Sequence, residues 1–500
     1  MPLQDTLVCL YMRRRQLSSP YAVSVPPLAV AVVADRASFS PKAQLKGFRI
    51  KVPDDIWNMI FRLLFDSGKS VLNVSLSCRR FYILTLPLLF KRLSFHHDRN
   101  HHAETLCELV QKRRHLQNYV QSVDINCITW NDAHLMVASF PPPCIVQLLG
   151  ILTNLQSVSL SGTVLSYRGA LLLAETKTLR QFSISSSCRL GKNMFADIPR
   201  RKNHSIERLT IGELAYDKPE DLVDWLYLVL SNTLTDLHVI GGLTTGKFFI
   251  ESLLQELVLN TLRRLHIEYI DGAILYEIVA RQQRLEELHF FCSDPLFVVD
   301  SRLPPNISSW SGPAFLATHF IPDSEINKVR LWMQDMSEQG RHVQDKPLAW
   351  VYETSIKHAR RPIQSLEILH FEWNQCLMDS IPRVFPDLER LALFFIDRPD
   401  MDYLENKLAA KLAMMKHLRY LSMGTEGTIP AVRPANDIPW CYNNLLKWTE
   451  NCPTLKQVEC RVLNLWIDWR RFGHAEWKGF MKGEMVLDER ELLKLHIYPS

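Results

Sequence analysis

The phrase "LRRLHI" at Leu262–Ile267 returns as "LTDLHV" at Leu234–Val239, "LEELHF" at Leu285–Phe290 and "LEILHF" at Leu366–Phe371. Each copy keeps two leucines three apart, then a histidine, then an apolar residue, which sets His238, His266, His289 and His370 in one repeated position. Imidazole changes charge near neutral pH and is a common metal ligand. A column of imidazoles has three possible uses: to hold an ion, to move a proton, or to form a binding surface that responds to mild acid. Plain solvated residues would show the same pattern. Metal or acid–base chemistry needs carboxylates or thiolates at matching spacing, and the pattern offers only Glu268 and Glu287 on the same surface. No catalytic residue, bound metal or cofactor is therefore expected. His238, His266, His289 and His370, with Arg330, are instead candidates for contact with a protein substrate.

Other reactive residues make weaker constellations. His96-His97 and His101-His102, near Asp98 and Cys107, lack the paired spacing of a zinc finger and read as a solvated connector. Cys78 in "SCRRFY" lies between hydroxyls and arginines that could activate a thiol, but its setting favours inward packing. Phosphate-loop, dinucleotide-binding and nucleophile-elbow glycine patterns are all missing, which argues against nucleotide and hydrolase chemistry.

The element that carries the histidines is a repeat. Leu-x-x-Leu-x-Leu, with other apolar residues admitted, runs through Val120/Val123/Ile125, Leu155/Val158/Leu160, Leu179/Phe182/Ile184, Ile206/Leu209/Ile211, Leu234/Leu237/Val239, Leu262/Leu265/Ile267 and Leu285/Leu288/Phe290. A weaker copy, Ile326/Val329/Leu331, precedes Leu366/Leu369/Phe371, Leu388/Leu391/Leu393, Leu418/Leu421/Met423 and Leu455/Val458/Cys460. Between Leu155 and Leu285 the period is about 23–28 residues, the range of leucine-rich repeats. The last two apolar positions are two apart, so on a strand they share a face. Helical spacing fills the intervals at Pro219–Leu234, Gly246–Leu262, Gly272–Leu285 and Met401–Leu418. A single strand–helix unit cannot bury its own apolar face, whereas a stack of them can. The expected fold is an α/β leucine-rich-repeat solenoid: a horseshoe with a parallel sheet on its concave face and helices outside.

At the scale of the chain, 500 residues with 47% hydrophobic content can bury a large core, and a net charge of +5 does not point to nucleic acid or a membrane surface. Eleven cysteines with no Cys-x-x-Cys pair suggest reduced thiols, hence a cytoplasmic and/or nuclear location. No apolar run is long enough to span a bilayer. Residues 1–49 read as a flexible basic leader, and residues 292–325 as an irregular insertion in which Trp310 and Phe315 could anchor a partner. Trp440, Trp448, Trp466, Trp469 and Trp477 suggest an aromatic C-terminal cap.

The segment Lys51–Phe95, "KVPDDIWNMIFRLLFDSGKSVLNVSLSCRRFYILTLPLLFKRLSF", predicts three short amphipathic helices. Its Val52-Pro53-Asp54-Asp55, Ile56, Ile60, Leu64, Leu72, Leu76, Cys78-Arg79-Arg80-Phe81 and Leu89-Phe90 resemble the F-box. Val52 and Asp55 stand where that family has Leu and Glu. With the repeats behind it, the order of modules resembles fungal F-box/leucine-rich-repeat proteins. The resemblance implies a small three-helix F-box over residues 50–95, a helical connector over 96–119 and the solenoid over 120–500. It also implies that Pro53, Ile56, Ile60, Leu64, Leu72 and Leu76 press onto a Skp-type adaptor that links to cullin and RING subunits. The chain would then be the non-catalytic substrate-recognition subunit of an SCF ubiquitin ligase. The alternative is a leucine-rich-repeat interaction scaffold with no part in ubiquitination. Arg208, Arg264, Arg330, Arg390 and Arg461, at strand edges, would suit an acidic partner.

Overall fold

The computed structural model describes residues 52–66, 71–96, 100–130, 136–185, 188–190, 205–212, 233–240, 261–270, 272–292, 306–322, 324–332, 359–371, 373, 375–395, 400–425, 434–462, 465–472, 476–481 and 485–487. The basic leader, the helical patterns at 219–232 and 246–260, and residues 293–305 fall outside these residues. The chain divides into two compact units, residues 1–179 and 180–500.

The first unit opens with three helices, α1 (Asp54–Asp66), α2 (Val71–Ser75) and α3 (Arg79–Leu89). Asp54 and Asp55 sit in the first turn of α1, where the helix dipole favours negative charge. Phe61 and Val71 are buried, and the Trp57, Phe61 and Phe81 rings pack at centroid distances of 4.6–5.7 Å. Arg80 reaches back across the bundle, donating from Nε to Asp54 Oδ1 at 2.8 Å and from Nη2 to the Val52 carbonyl at 2.8 Å. The two ends of the Val-Pro-Asp-Asp and Cys-Arg-Arg-Phe motifs therefore meet. Cys78 does not pack inward: it is exposed and caps α3, its Sγ accepting from the Phe81 N–H at 3.5 Å.

Strand β1 (Arg92–His96) follows at once, then α4 (Asn100–Lys112), α5 (Arg114–Gln117) and β2 (Ser122–Asn126). The hairpin β3 (Ile128–Trp130) and β4 (Met136–Ala138), helix α6 (Pro143–Leu149), β5 (Ser157–Ser161), β6 (Val164–Leu165) and α7 (Tyr167–Glu175) complete the unit. β1, β2 and β5 are parallel, with Leu93, Val123 and Val158 in register and Phe95, Ile125 and Leu160 two residues on. The repeat thus starts one copy earlier than the apolar phrase suggested, inside the stretch assigned to the helical segment.

The second unit carries β7 (Gln181–Ser185), β8 (Arg189–Leu190), β9 (Arg208–Ile211), β10 (Asp236–Val239) and β11 (Arg264–Ile270), then α8 (Gly272–Arg281) and β12 (Glu287–Cys292). After β13 (Ser309–Pro313) come α9 (Ala317–Phe320), β14 (Lys328–Trp332), β15 (Ser365–Phe371), α10 (Gln375–Val384) and β16 (Arg390–Phe395). It ends with α11 (Leu408–Leu412), β17 (Tyr420–Thr425), α12 (Pro434–Asn451), β18 (Gln457–Val462), β19 (Leu465–Phe472), β20 (Glu476–Met481) and β21 (Met485–Leu487).

From β7 and β9 through β18 every neighbouring pair is parallel. The central apolar column holds Phe182, Leu209, Leu237, Leu265, Leu288, Trp310, Val329, Leu366, Leu391, Leu421 and Val458, all buried. Helices in the intervals bury Leu275, Ile278, Leu377, Ile381, Leu445 and Trp448 beneath the apolar face, so the alternating polar residues point the other way. This large, mostly parallel sheet with interval helices fits an α/β repeat solenoid. Threonines just before a repeat tie neighbours together: Thr233, Thr261 and Thr454 Oγ1 donate to the Ile206, Leu234 and Leu418 carbonyls at 2.7–3.0 Å.

Two sequence expectations change here. Trp310 is not an exposed anchor in an insertion but the central residue of β13, 1% exposed and in register between Leu288 and Val329. Its bulk is matched by Gly312, where an added Cβ would lie 2.8 Å from Trp310 Cζ2 and 3.0 Å from Phe290 Cζ. The copy at β15 is framed by Ile363, Leu366 and Ile368, because Leu366 pairs with Leu391 and Ile368 with Leu393. The Leu366/Leu369/Phe371 frame is shifted by three residues.

The tryptophan-rich end forms a closing layer. β18 pairs antiparallel with β19, β19 with β20 and β20 with β21. Trp469 and Trp477 are buried there, and Trp448 donates from Nε1 to the Leu404 carbonyl at 3.1 Å. The Trp440 and Trp466 side chains lie outside the described residues.

Candidate functional site

Alternation along β9 to β18 leaves two polar rows on the face opposite the helices, one on each side of the central apolar column. Together they line an open depression of about 860 Å³. In the upper row, Thr210, His238, His266, His289, Ser311, Arg330, Glu367, Ala392, Ser422 and Glu459 follow one another in register.

The structure brings three of the four predicted histidines together. The rings of His238 and His266 lie 3.8 Å apart between centroids, and those of His266 and His289 3.6 Å. The stack continues edge-on to Trp332 at 5.3 Å, whose Nε1 donates to Ser311 Oγ at 2.9 Å. His370 is not part of it. Glu367 occupies the column position in β15, and His370, whose side chain is outside the described residues, comes three residues later. Arg330, predicted at the site, forms an ion pair with Glu367 at 2.7 Å.

Burial, with the neighbouring imidazoles and Arg330, pushes His266 down to about 2; burial, then Arg330 and His238, push His289 down to about 3. Burial lowers His238 as well. Packed rings and a nearby guanidinium both oppose added positive charge. His266 and His289 therefore stay neutral in the mildly acidic range, which argues against a binding surface switched by their protonation. Nε2 of His238 and of His266 are buried without a hydrogen-bond partner. Among the described residues no group of three or more His, Cys, Asp or Glu is placed to hold a metal ion. His96 is exposed at the end of β1, and the rest of the histidine-rich connector that follows it lies partly outside the described residues.

The lower row carries further charges. Asp236 receives both Arg208 and Arg264, with Arg264 Nε and Nη2 donating to its two oxygens at 2.6 and 2.5 Å. These contacts lower the Asp236 pKa against the burial that raises it. Glu287 stands in register beside Arg264. Further along, the Arg390 guanidinium sits 4.3 Å above the Tyr420 ring, and Tyr420 donates to Glu459 at 2.6 Å. The Arg461 side chain is outside the described residues.

A second candidate face belongs to the first unit. Helix α1 is apolar on two sides: Phe61 and Trp57 face the bundle, whereas Ile56, Met59, Ile60 and Leu63 are 45, 61, 38 and 69% exposed. Ile83 of α3 is 56% exposed. Of the residues the F-box resemblance singled out, Pro53, Ile56 and Ile60 are exposed, and Leu64, Leu72 and Leu76 are half-buried. The resemblance did not single out Met59, Leu63 or Ile83, although Ile56, Met59, Ile60 and Leu63 follow the spacing of one helical stripe.

The second unit is thus a parallel-stranded repeat with an open polar groove, and the first carries a three-helix segment with an exposed apolar stripe ahead of its own parallel strands. Neither the protein-family models nor the curated proteins match the chain. A solved leucine-rich-repeat protein from Leptospira interrogans aligns over 69% of this chain and 91% of its own, at 10% identity and a TM-score of 0.29. No described helix is long and apolar enough to cross a membrane.

Proposed function

We propose that the chain is a non-catalytic substrate receptor of an SCF-type ubiquitin ligase. In this reading the three-helix segment grips a Skp-type adaptor, which supplies the cullin and RING subunits. The polar groove of the repeats holds a protein substrate, in the cytoplasm or nucleus. The observation that carries it is the exposed apolar stripe of α1: Ile56, Met59, Ile60 and Leu63 face outward although the same helix already buries Phe61. Four such side chains in one stripe are far more than solubility favours, and each gains about 1.5–3 kcal/mol when fully covered. The Arg80–Asp54 contact supports the F-box resemblance by joining its two most characteristic motifs. The receptor contributes no nucleophile; it raises the local concentration of a substrate lysine beside the ubiquitin thioester.

The test is recovery of a Skp-type adaptor with the tagged full chain, compared with an Ile60→Asp/Leu63→Asp variant. The proposal predicts recovery by the parent chain and loss in the variant with an unchanged unfolding curve. Equal recovery by both, or recovery by neither, ends the ligase reading and leaves the interaction scaffold.

A further inference from the structure

Three of the four carboxylates lining the groove are matched by hydrogen bonds or ion pairs within the protein; the fourth, Glu287, stands in register between Arg264 and Ser309. Asp236 is held by two arginines, Glu367 by Arg330, and Glu459 by the Tyr420 and Ser422 hydroxyls and by Gln457, whose Nε2 lies 3.1 Å from Oε1. The lower row between them is not balanced in this way. Register places Ser309, Lys328, Ser365 and Arg390 side by side on four consecutive strands. Neighbouring strands are about 4.8 Å apart, so the row extends about 14 Å. Among the described residues, the side chains of Ser309, Lys328 and Ser365 have no hydrogen-bond or ion-pair partner, and Arg390 has the Tyr420 ring but no carboxylate.

We infer that this row is the recognition strip for an acidic segment of the partner polypeptide, whose Asp and Glu carboxylates would meet Lys328 and Arg390 while the two serine hydroxyls bond to the carboxylates or backbone between them. The inference rests on the reading of the groove as a protein-binding face. Charge-assisted bonds from a cation to a carboxylate are the stronger kind of hydrogen bond, and both cations are exposed to an incoming segment. The spacing favours carboxylates over a single phosphate. The two free cations are separated by a serine strand, about 10 Å apart at the backbone, rather than converging on one point. A segment in the polyproline II conformation turns once every three residues and rises about 3.1 Å per residue, so acidic residues three apart share a face about 9 Å apart and match the two cations. The neighbouring His266 and His289 rings add no positive charge, and the strip ends at Glu287, which follows Ser309 in register and balances the charge of the Asp236 pair with Arg208 and Arg264.

The experiment uses the full chain and three labelled twelve-residue peptides: one with Asp and Glu at intervals of three, its Asn/Gln counterpart, and one with a single phosphoserine and no other acid. Anisotropy titrations give affinities for the parent chain, for Lys328→Gln and for Lys328→Glu/Arg390→Glu, each checked by its unfolding curve. The acidic peptide should bind, the amide peptide should bind at least about tenfold more weakly, and the charge-reversed chain should lose the difference. Raising salt from about 0.05 to about 0.3 M should weaken the acidic complex alone. Equal binding of acidic and amide peptides, no binding of any peptide, or tighter binding of the phosphoserine peptide overturns the inference. Adaptor recovery measured on the same variants keeps the two claims apart: the charge reversal should leave it unchanged, and its loss in the Ile60→Asp/Leu63→Asp chain should leave peptide binding intact.

Discussion

At the residue scale, the stacked imidazoles link folding to pH. His266 and His289 have an ordinary value of 6.5 and are held at about 2 and about 3 in the fold. The unfolded chain therefore binds protons that the folded chain refuses once the pH falls below about 6.5. Stability from these residues is complete above that pH and declines steadily below it toward the folded values. Urea unfolding followed from pH 7.5 to 4.5 should show falling stability, and His266→Gln/His289→Gln should flatten the decline. An equal slope in the variant would show that other groups carry it. Gly312 offers a second reading at this scale. Gly312→Ala puts a methyl against Trp310 and Phe290 and should cost about 1–3 kcal/mol by denaturant unfolding. Adding Trp310→Leu should return part of that loss if the two residues are coupled by volume.

At the scale of elements, what could be read beforehand followed from how regular each copy is. Leu234/Leu237/Val239, Leu262/Leu265/Ile267 and Leu285/Leu288/Phe290 were legible because aliphatic residues fill every position of the phrase. The copy at β13 was hidden because Trp310 fills the centre and Gly312 the third place, a pair that conserves volume but breaks the pattern. β15 was misframed because "SLEILHF" offers an apolar residue at both phases, and only pairing with β16 decides between Leu366/Ile368 and Leu369/Phe371. That slip carried His370 into the histidine column. The threonine before Leu234, Leu262 and Leu455 was an unused signal, since it marks where each repeat ties to the one before. In α1, helical spacing exposed the stripe in advance, but not that Phe61 and Trp57 would claim the opposite side. Because Ile60 and Leu63 are exposed, charge at those positions should change stability by less than about 0.5 kcal/mol while removing adaptor capture. That contrast would distinguish a docking face from a packing face.

At the scale of the molecule, the division at residue 179/180 separates the two proposed tasks: the apolar stripe belongs to one unit and the polar groove to the other. Removing residues 51–90 should therefore abolish adaptor recovery and preserve binding of the acidic peptide, read by the same anisotropy titration. Loss of both would mean that the helices are needed for the repeats to fold. The charge pattern of the groove was not legible in advance because it depends on register, which decides that Arg208 and Arg264 share Asp236 while Lys328 and Arg390 share nothing.

The reversal of strand direction after β18 also bears on how the molecule avoids its own kind. A stack of parallel strands ends in a row of unsatisfied amides and carbonyls, an invitation for a second chain to continue the series end to end. Here the border of β18 is taken by β19 running the other way, with Trp469 fastened opposite Val458. A newcomer bringing a parallel strand finds that berth occupied. The open edge passes instead to β21, a strand of only three residues, which offers little for a second chain to extend.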